Sequence, residues 1–428
     1  MDNEAITSDQ EPQPTAAARR PILQRIFIRK GIWASLVVPV LSVFTAFIIG
    51  GVIIAASNTA VLAAWGNIFT APLEALRITF KTVYDAYLAL FQGAFGQPAE
   101  LSAALRTWRE TGQTQALWAA LRPLGESLVI STPYIYAGLS VAFGMRGGLF
   151  NIGAEGQLFV GGLASAYVGY AVKGLPWIVH MPLAILAGLA AGALWGAIPG
   201  LLKAKTGAHE VINTIMMNYV AFRLTDYLLT GPMARPDRLP ITPQVLPSAY
   251  IPTIFPPPVR FHWGFFLALG AAALMYWFLW KTTRGMEIRM TGQNQDAARY
   301  AGVRIAVITV LTMAVAGALA GMSGTNQILA VDHQLVRAFS TGYGFDSIAL
   351  ALLGNSHPLG VVLSSLLFGF LRGGAARMQS VAGTPVEIIR IIQGMVIIFV
   401  AAPAIIRSLY RLKTPREEDT LLSRGLTS

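Results

Sequence analysis

Apolar residues gather into runs of about 20 at 32–56, 124–144, 148–172, 177–202, 209–230, 262–280, 304–325, 358–378 and 387–407, with short polar stretches between them. As a helix, about 20 apolar residues cross the hydrocarbon core of a bilayer, so each run predicts a spanning helix. A further apolar piece at 345–353 is too short for an ordinary span, and Gly342, Gly344 and Gly354 bracket it. Short segments interrupted by glycine predict a broken or re-entrant helix lining a pathway. With that piece counted as a crossing, the pattern predicts an all-α polytopic membrane bundle of about ten transmembrane helices.

Residues 1–30 read as a disordered cytoplasmic tail: the first 20 are polar, contain proline and have few apolar residues. The first apolar run is too long for the core of a signal peptide and no small-residue cleavage site follows it, so it predicts an uncleaved first span. The transmembrane domain then occupies 31–410, and 411–428 form a second cytoplasmic tail. Basic residues fix the expected orientation. Arg19, Arg20, Arg25, Arg29 and Lys30 precede the first span; Arg146, Lys203 with Lys205, and Lys281, Arg284, Arg289, Arg299 and Arg304 follow later ones. Alternation from an inside N-terminus puts all of these in the cytoplasm and leaves 57–123 and 231–261 outside. The proline-rich 231–261 suits a rigid external loop. Within 57–123, LEALRITFKTVYDAYLALF fits an amphipathic surface helix or a further pair of spans. Arg407, Arg411, Lys413 and Arg416 want an inside C-terminus, which requires 345–353 to cross. Arg372 and Arg377 then lie outside, against the charge rule.

Composition agrees with a membrane protein. The 428 residues are 54% hydrophobic and 12% charged, against about 25% charged in soluble domains. The 42 glycines suit close helix packing in lipid. The net charge of +11 sits in short clusters between apolar runs, which is an orientation signal and not a nucleic-acid surface. Cysteine is absent, which excludes disulfides and thiol chemistry. A phosphate-binding loop needs a lysine directly after glycine, and no lysine here follows one. HEVIN (209–213) misses the second histidine of a zinc helix, with Asn213 in its place. The five histidines are scattered, and no Gly-x-Ser-x-Gly elbow occurs. The chain reads as a protein that binds and moves something, not as an enzyme.

Three polar groups interrupt the apolar pattern. In GMRGGLFNIGAEGQLFVGG (144–162), Asn151, Glu155 and Gln157 sit inside a run. On a helix Asn151 and Glu155 would share a face, and Gln157 would not. Interior glycines cost roughly 0.5–1 kcal/mol each against alanine, so those around Asn151 predict a break with a helix starting near it. An intramembrane carboxylate costs at least about 2.5 kcal/mol and is by default functional. Glu155 has three readings: an acceptor for backbone amides of a neighbouring broken helix or its own segment, a ligand contact, or a group in water near the cytoplasmic surface. In HEVINTIMMNYVAFRLTD (209–226), Thr214 and Asn218 are i and i+4, and Glu210, Asn213 and Met217 also share a face. Such groups bond between helices for about 0.6 kcal/mol each or line a pathway. In the loop 281–303, Thr291 to Asn294 reads as a turn or helix cap, and Asp296 to Arg304 as a short alanine-rich helix. That helix suits docking in another protein's groove; the alternative is a solvated connector.

Asp296-Ala297-Ala298-x-x-x-Gly302 resembles the EAA coupling motif of ABC importer permeases, with Asp in place of Glu. GLFNIGAEGQ (148–157) resembles a signature stretch of the permeases grouped as simple-sugar and nucleoside importers, and HEVINTIMMNY (209–219) and IALALLGNSHPLG (348–360) resemble further blocks of that family. Asn-Ile-Gly-Ala-Glu looks like the nucleoside branch. The resemblance covers about residues 124–407. It implies the permease subunit of an ATP-driven importer of nucleosides or related simple sugars in a bacterial inner membrane. Its partners would be a second, related permease, ABC ATP-binding subunits carrying ATP and Mg, a periplasmic or lipoprotein binding protein, and membrane lipid. The chain itself would hold no cofactor and no metal. The candidates for the substrate pathway are Asn151, Glu155, Gln157, Asn213, Asn218 and Asp346; those for coupling to the ATPase are Asp296, Ala297, Ala298 and Gly302. Nucleosides are neutral and polar, and amide and carboxylate acceptors suit them better than rings of cations. Two other classes stay open. An ion-coupled secondary transporter would use Glu155 as its carrier and leave the helix at Asp296 without a role. A membrane scaffold would tolerate replacement of every intramembrane polar residue.

Overall fold

A computed structural model describes residues 22–412. The expected tail at 1–20, with Arg19 and Arg20, lies outside the described residues, as do Lys413 and Arg416. The helices in chain order are α1 (Ile22–Ser57), α2 (Thr59–Gly66), α3 (Pro72–Phe95), α4 (Pro98–Thr111), α5 (Gln115–Arg146), α6 (Ala154–Ala171), α7 (Trp177–Thr206), α8 (Glu210–Thr230), α9 (Gly264–Lys281), α10 (Thr283–Gln293), α11 (Gln295–Tyr300), α12 (Ile305–Gln327), α13 (Tyr343–Leu353), α14 (Pro358–Ala382), α15 (Glu387–Ala401) and α16 (Pro403–Leu409). Among the described residues, β-pairing is confined to two isolated bridges. The all-α membrane bundle therefore stands. α1 begins at Ile22, so residues 22–30, expected in the tail, are helical.

Among the described residues, six helices are long and apolar enough to cross a membrane: α1, α5, α7, α9, α12 and α14. A seventh results if α15 and α16, bent by 90° at Ala402, count as one span. The expected figure of about ten was looser: it also includes α6 and α8, which carry too many polar residues, and α13, which is too short. The 57–123 segment is largely helical, and α3 lies along α14, with a Cβ on Gly374 overlapping the Leu90 carbonyl oxygen.

The loops gather at two ends. At one, which we call the basic end, Arg146 Nε and Nη2 donate to the Ser356 and Asn355 carbonyls at 2.9 and 3.0 Å. Gly292 of α10 sits directly on the Arg146 carbonyl. At the far end, the proline-rich loop is tied down along its length. Thr242 and Val245 N–H donate to the Leu335 and His333 carbonyls, Leu246 N–H to Gly169, and Ile251 N–H to Leu329.

The core between these ends is the crossing of α6, α7 and α12. Lipid offers no hydrophobic drive between helices, so packing decides. Glycine removes the side chains that would keep the backbones apart. A Cβ on Gly317 would overlap the Gly192 carbonyl oxygen, and one on Gly192 the Gly317 oxygen. A Cβ on Gly321 would stand 2.6 Å from the Gly188 oxygen. Gly161 meets Gly321 and Gly324 meets the Leu158 carbonyl in the same way.

Candidate functional site

Between His333 at the far end and Asn355 at the basic end, the chain crosses the bundle in two pieces. α12 ends in a wide π turn at Ile328–Asp332. An irregular stretch then descends beside α6, where Phe339 packs on Phe159 at 4.8 Å between ring centroids. Gly342, in the left-handed region at φ +95°, turns the chain into α13. The first turn of a helix carries unpaired N–H groups, and here one of them is buried inside the bundle. Gly344 N–H donates to Glu155 Oε2 at 2.6 Å. A Cβ on Gly344 would stand 2.7 Å from that same oxygen and overlap the Glu155 backbone. Glu155 is thus a buried acceptor at the start of a broken helix, the neighbouring-helix arrangement among its three readings.

The other signature residues hold the start of α6, which carries Glu155, in place. α6 starts at Ala154, so Asn151 precedes the helix and does not share its face with Glu155. Asn151 pairs instead with Gln157. Its Nδ2 donates to Gln157 Oε1 at 2.8 Å, and Gln157 Nε2 donates back to Asn151 Oδ1 at 3.1 Å. Asn151 also accepts from Gly153 N–H and donates to Ser140 Oγ. On α8, Asn218 accepts from Gly156 N–H at 2.8 Å and donates to the Ile152 carbonyl at 3.0 Å. Asn151, Gln157 and Asn218 are buried, and their hydrogen bonds are spent within the fold. Asn213 Nδ2 is buried without a hydrogen-bond partner among the described residues. Glu210 pairs with Lys203 Nζ at 2.5 Å at the basic end.

Asp346 faces away from this packing. Its Oδ2 accepts from the Tyr134 hydroxyl at 2.8 Å and stands 3.5 Å from Arg372 Nη1. Arg372 also donates to the Tyr134 hydroxyl and, through Nη2, to the Thr341 carbonyl at 3.2 Å. Its guanidinium lies 5.6 Å from the Tyr343 ring centroid and 5.9 Å from that of Tyr134, within cation–π range. The Asp346 side chain is 35% exposed and that of Arg372 21%. Reasoning from the sequence did not single out Tyr134, and it met Arg372 only as an exception to the charge rule. That exception was the available signal, because an arginine inside a span is by default functional.

In the basic loop, the Asn294 side chain accepts from Asp296 and Ala297 N–H, both at 3.0 Å, and so starts α11. The helix is shorter than the expected 296–304: it ends at Tyr300, and Gly302 follows at φ +84°. Asp296 is 91% exposed, and Ala297 and Tyr300 are exposed beside it. Ala298 is buried and anchors the helix to the bundle, so it does not belong to the exposed face.

Residues 124–401 match the family described as branched-chain amino acid transport system / permease component. The chain is 43% identical over 289 residues to the guanosine ABC transporter permease protein NupP of Bacillus subtilis, covering 66% of this chain and 82% of that one. It is 36% identical over 286 residues to a glucose ABC transporter permease protein of Haloferax volcanii, covering 64% and 75%. It is 33% identical over 298 residues to the nucleoside ABC transporter permease protein NupB of Lactococcus lactis, covering 67% and 80%. No solved structure matches the chain.

Proposed function

Because this chain belongs to the branched-chain amino acid transport system permease family, we propose that it is the membrane subunit of an ATP-driven importer of nucleosides in a bacterial inner membrane. The observation that carries this is the family match itself, which spans both α11 and the broken crossing. Relatives named for guanosine and nucleosides favour those solutes over the glucose of the Haloferax volcanii relative. The basic end faces the cytoplasm, with the N-terminus on that side and the loops at 231–261 and within 57–123 outside. A periplasmic or lipoprotein binding protein delivers solute there. A second, related permease faces this one, and the solute passes between them. ATP and Mg belong to separate ABC subunits, and this chain catalyses nothing.

The solute path runs past the first turn of α13. Asp346 presents its carboxylate there, with Glu155 behind it, and Asn151, Gln157, Asn213 and Asn218 shape the wall. The ATPase receives the exposed face of α11, with Asp296 and Ala297 in the groove, Ala298 holding the helix and Gly302 ending it. Asp296→Arg reverses a charge on that face, and Gly302→Leu puts a side chain where the backbone needs φ > 0. Each is expected to lower co-purification of the ATPase at least about tenfold, as loss of a central contact does. Unchanged co-purification in both variants removes α11 from the docking surface. Full-rate uptake on an ion gradient by vesicles holding this chain without an ATPase would overturn the ATP-driven reading.

A further inference from the structure

Asp346 has hydrogen-bonding capacity that the fold does not use. The Gly344 amide in the first turn of α13 already has an acceptor in Glu155, so Asp346 is free of that task. Its Oδ2 is held by Tyr134 and approached by Arg372, while Oδ1 has no partner among the described residues. Arg372 Nε is likewise without a partner among them. Both side chains are partly open. Thr341 is exposed next to them, and Phe345, adjacent to Asp346, is 46% exposed. The pair is therefore partly open, and Arg390 adds a second cation near Asp346.

A carboxylate only accepts hydrogen bonds and a guanidinium only donates them. Side by side, they complement two neighbouring hydroxyls, each of which donates to one and accepts from the other. We propose that Asp346 and Arg372 bind the vicinal diol of a ribose ring during passage, with Tyr134 positioning Asp346. This rests on the nucleoside reading above.

The test is uptake of guanosine and 2′-deoxyguanosine, both at saturating concentration, by the complete complex in proteoliposomes. The unaltered complex is expected to move guanosine several-fold faster. Asp346→Asn is expected to slow guanosine by about tenfold, the lower range for a charged hydrogen bond, and 2′-deoxyguanosine far less, so that their ratio falls to about one. Tyr134→Phe keeps the ring and loses only the hydroxyl that bonds both Asp346 and Arg372, leaving both charges in place, so it should lower the ratio by a smaller factor. If Asp346→Asn fails to assemble, the ratio in Tyr134→Phe decides. Equal losses for both solutes, or an unaltered complex that does not distinguish them, overturn the diol contact and leave the nucleoside reading standing. An unaltered complex that hydrolyses ATP but moves neither solute overturns the nucleoside reading and the diol contact with it.

Discussion

Gly317→Val is expected to leave almost no folded protein in the membrane. The new Cβ would overlap the Gly192 carbonyl, a backbone atom that no rotamer change can move aside. α7 and α12 would have to part, and the contacts of Gly196 with Gly317 and of Gly192 with Gly321 would open together. Overpacking typically costs about 1–3 kcal/mol where side chains can yield. Here the backbone must yield, and lipid supplies no compensating hydrophobic gain. Membrane yield and thermal midpoint in detergent measure the loss. Gly270→Val is the control, because a Cβ there meets nothing within 4 Å. Equal behaviour of the two variants would show that the glycine crossing does not hold the bundle.

Glu155 carries the second large effect. Glu155→Leu leaves the buried Gly344 N–H without its acceptor, and an unmet buried hydrogen bond costs about 1–3 kcal/mol. Glu155→Lys brings a cation to the positive end of α13, which adds repulsion. Glu155→Gln keeps an acceptor oxygen. Thermal midpoints should therefore fall in the order Gln, Leu, Lys, with Gln nearest the unaltered chain, and uptake should follow stability. A Leu variant with an unchanged midpoint and no uptake would instead make Glu155 a solute contact.

Most spans were legible because each is a local run, although α6 and α8 show that run length alone does not decide. The break at 342–344 was legible too, since glycine on either side of a short apolar piece marks a helix that cannot continue. What escaped was pairing across distance. Tyr134, Asp346 and Arg372 come from three helices, and nothing local in α5 or α14 announces that they meet. Asn151 shows a different limit. Helical spacing set it on a face with Glu155, but the helix starts three residues after it, and in the turn its amide reaches Gln157 instead. Ala298 read as part of a docking face from its neighbours, yet the cap at Asn294 sets the rotation of α11 and turns that methyl inward.

Arg146 has a mechanical consequence. Its carbonyl supports Gly292, one turn ahead of α11, while its guanidinium grips the loop that follows α13. Arg146 thus touches both the segment before the exposed helix and the loop after the half-helix. Under the proposed docking role of α11, a push on that helix would reach the loop after α13 through Arg146. Packed interfaces pass on small shifts as whole-element movements. On that reading, the movement passed to the half-helix would depend on the play in two joints, the Gly292 contact and the Arg146 grip.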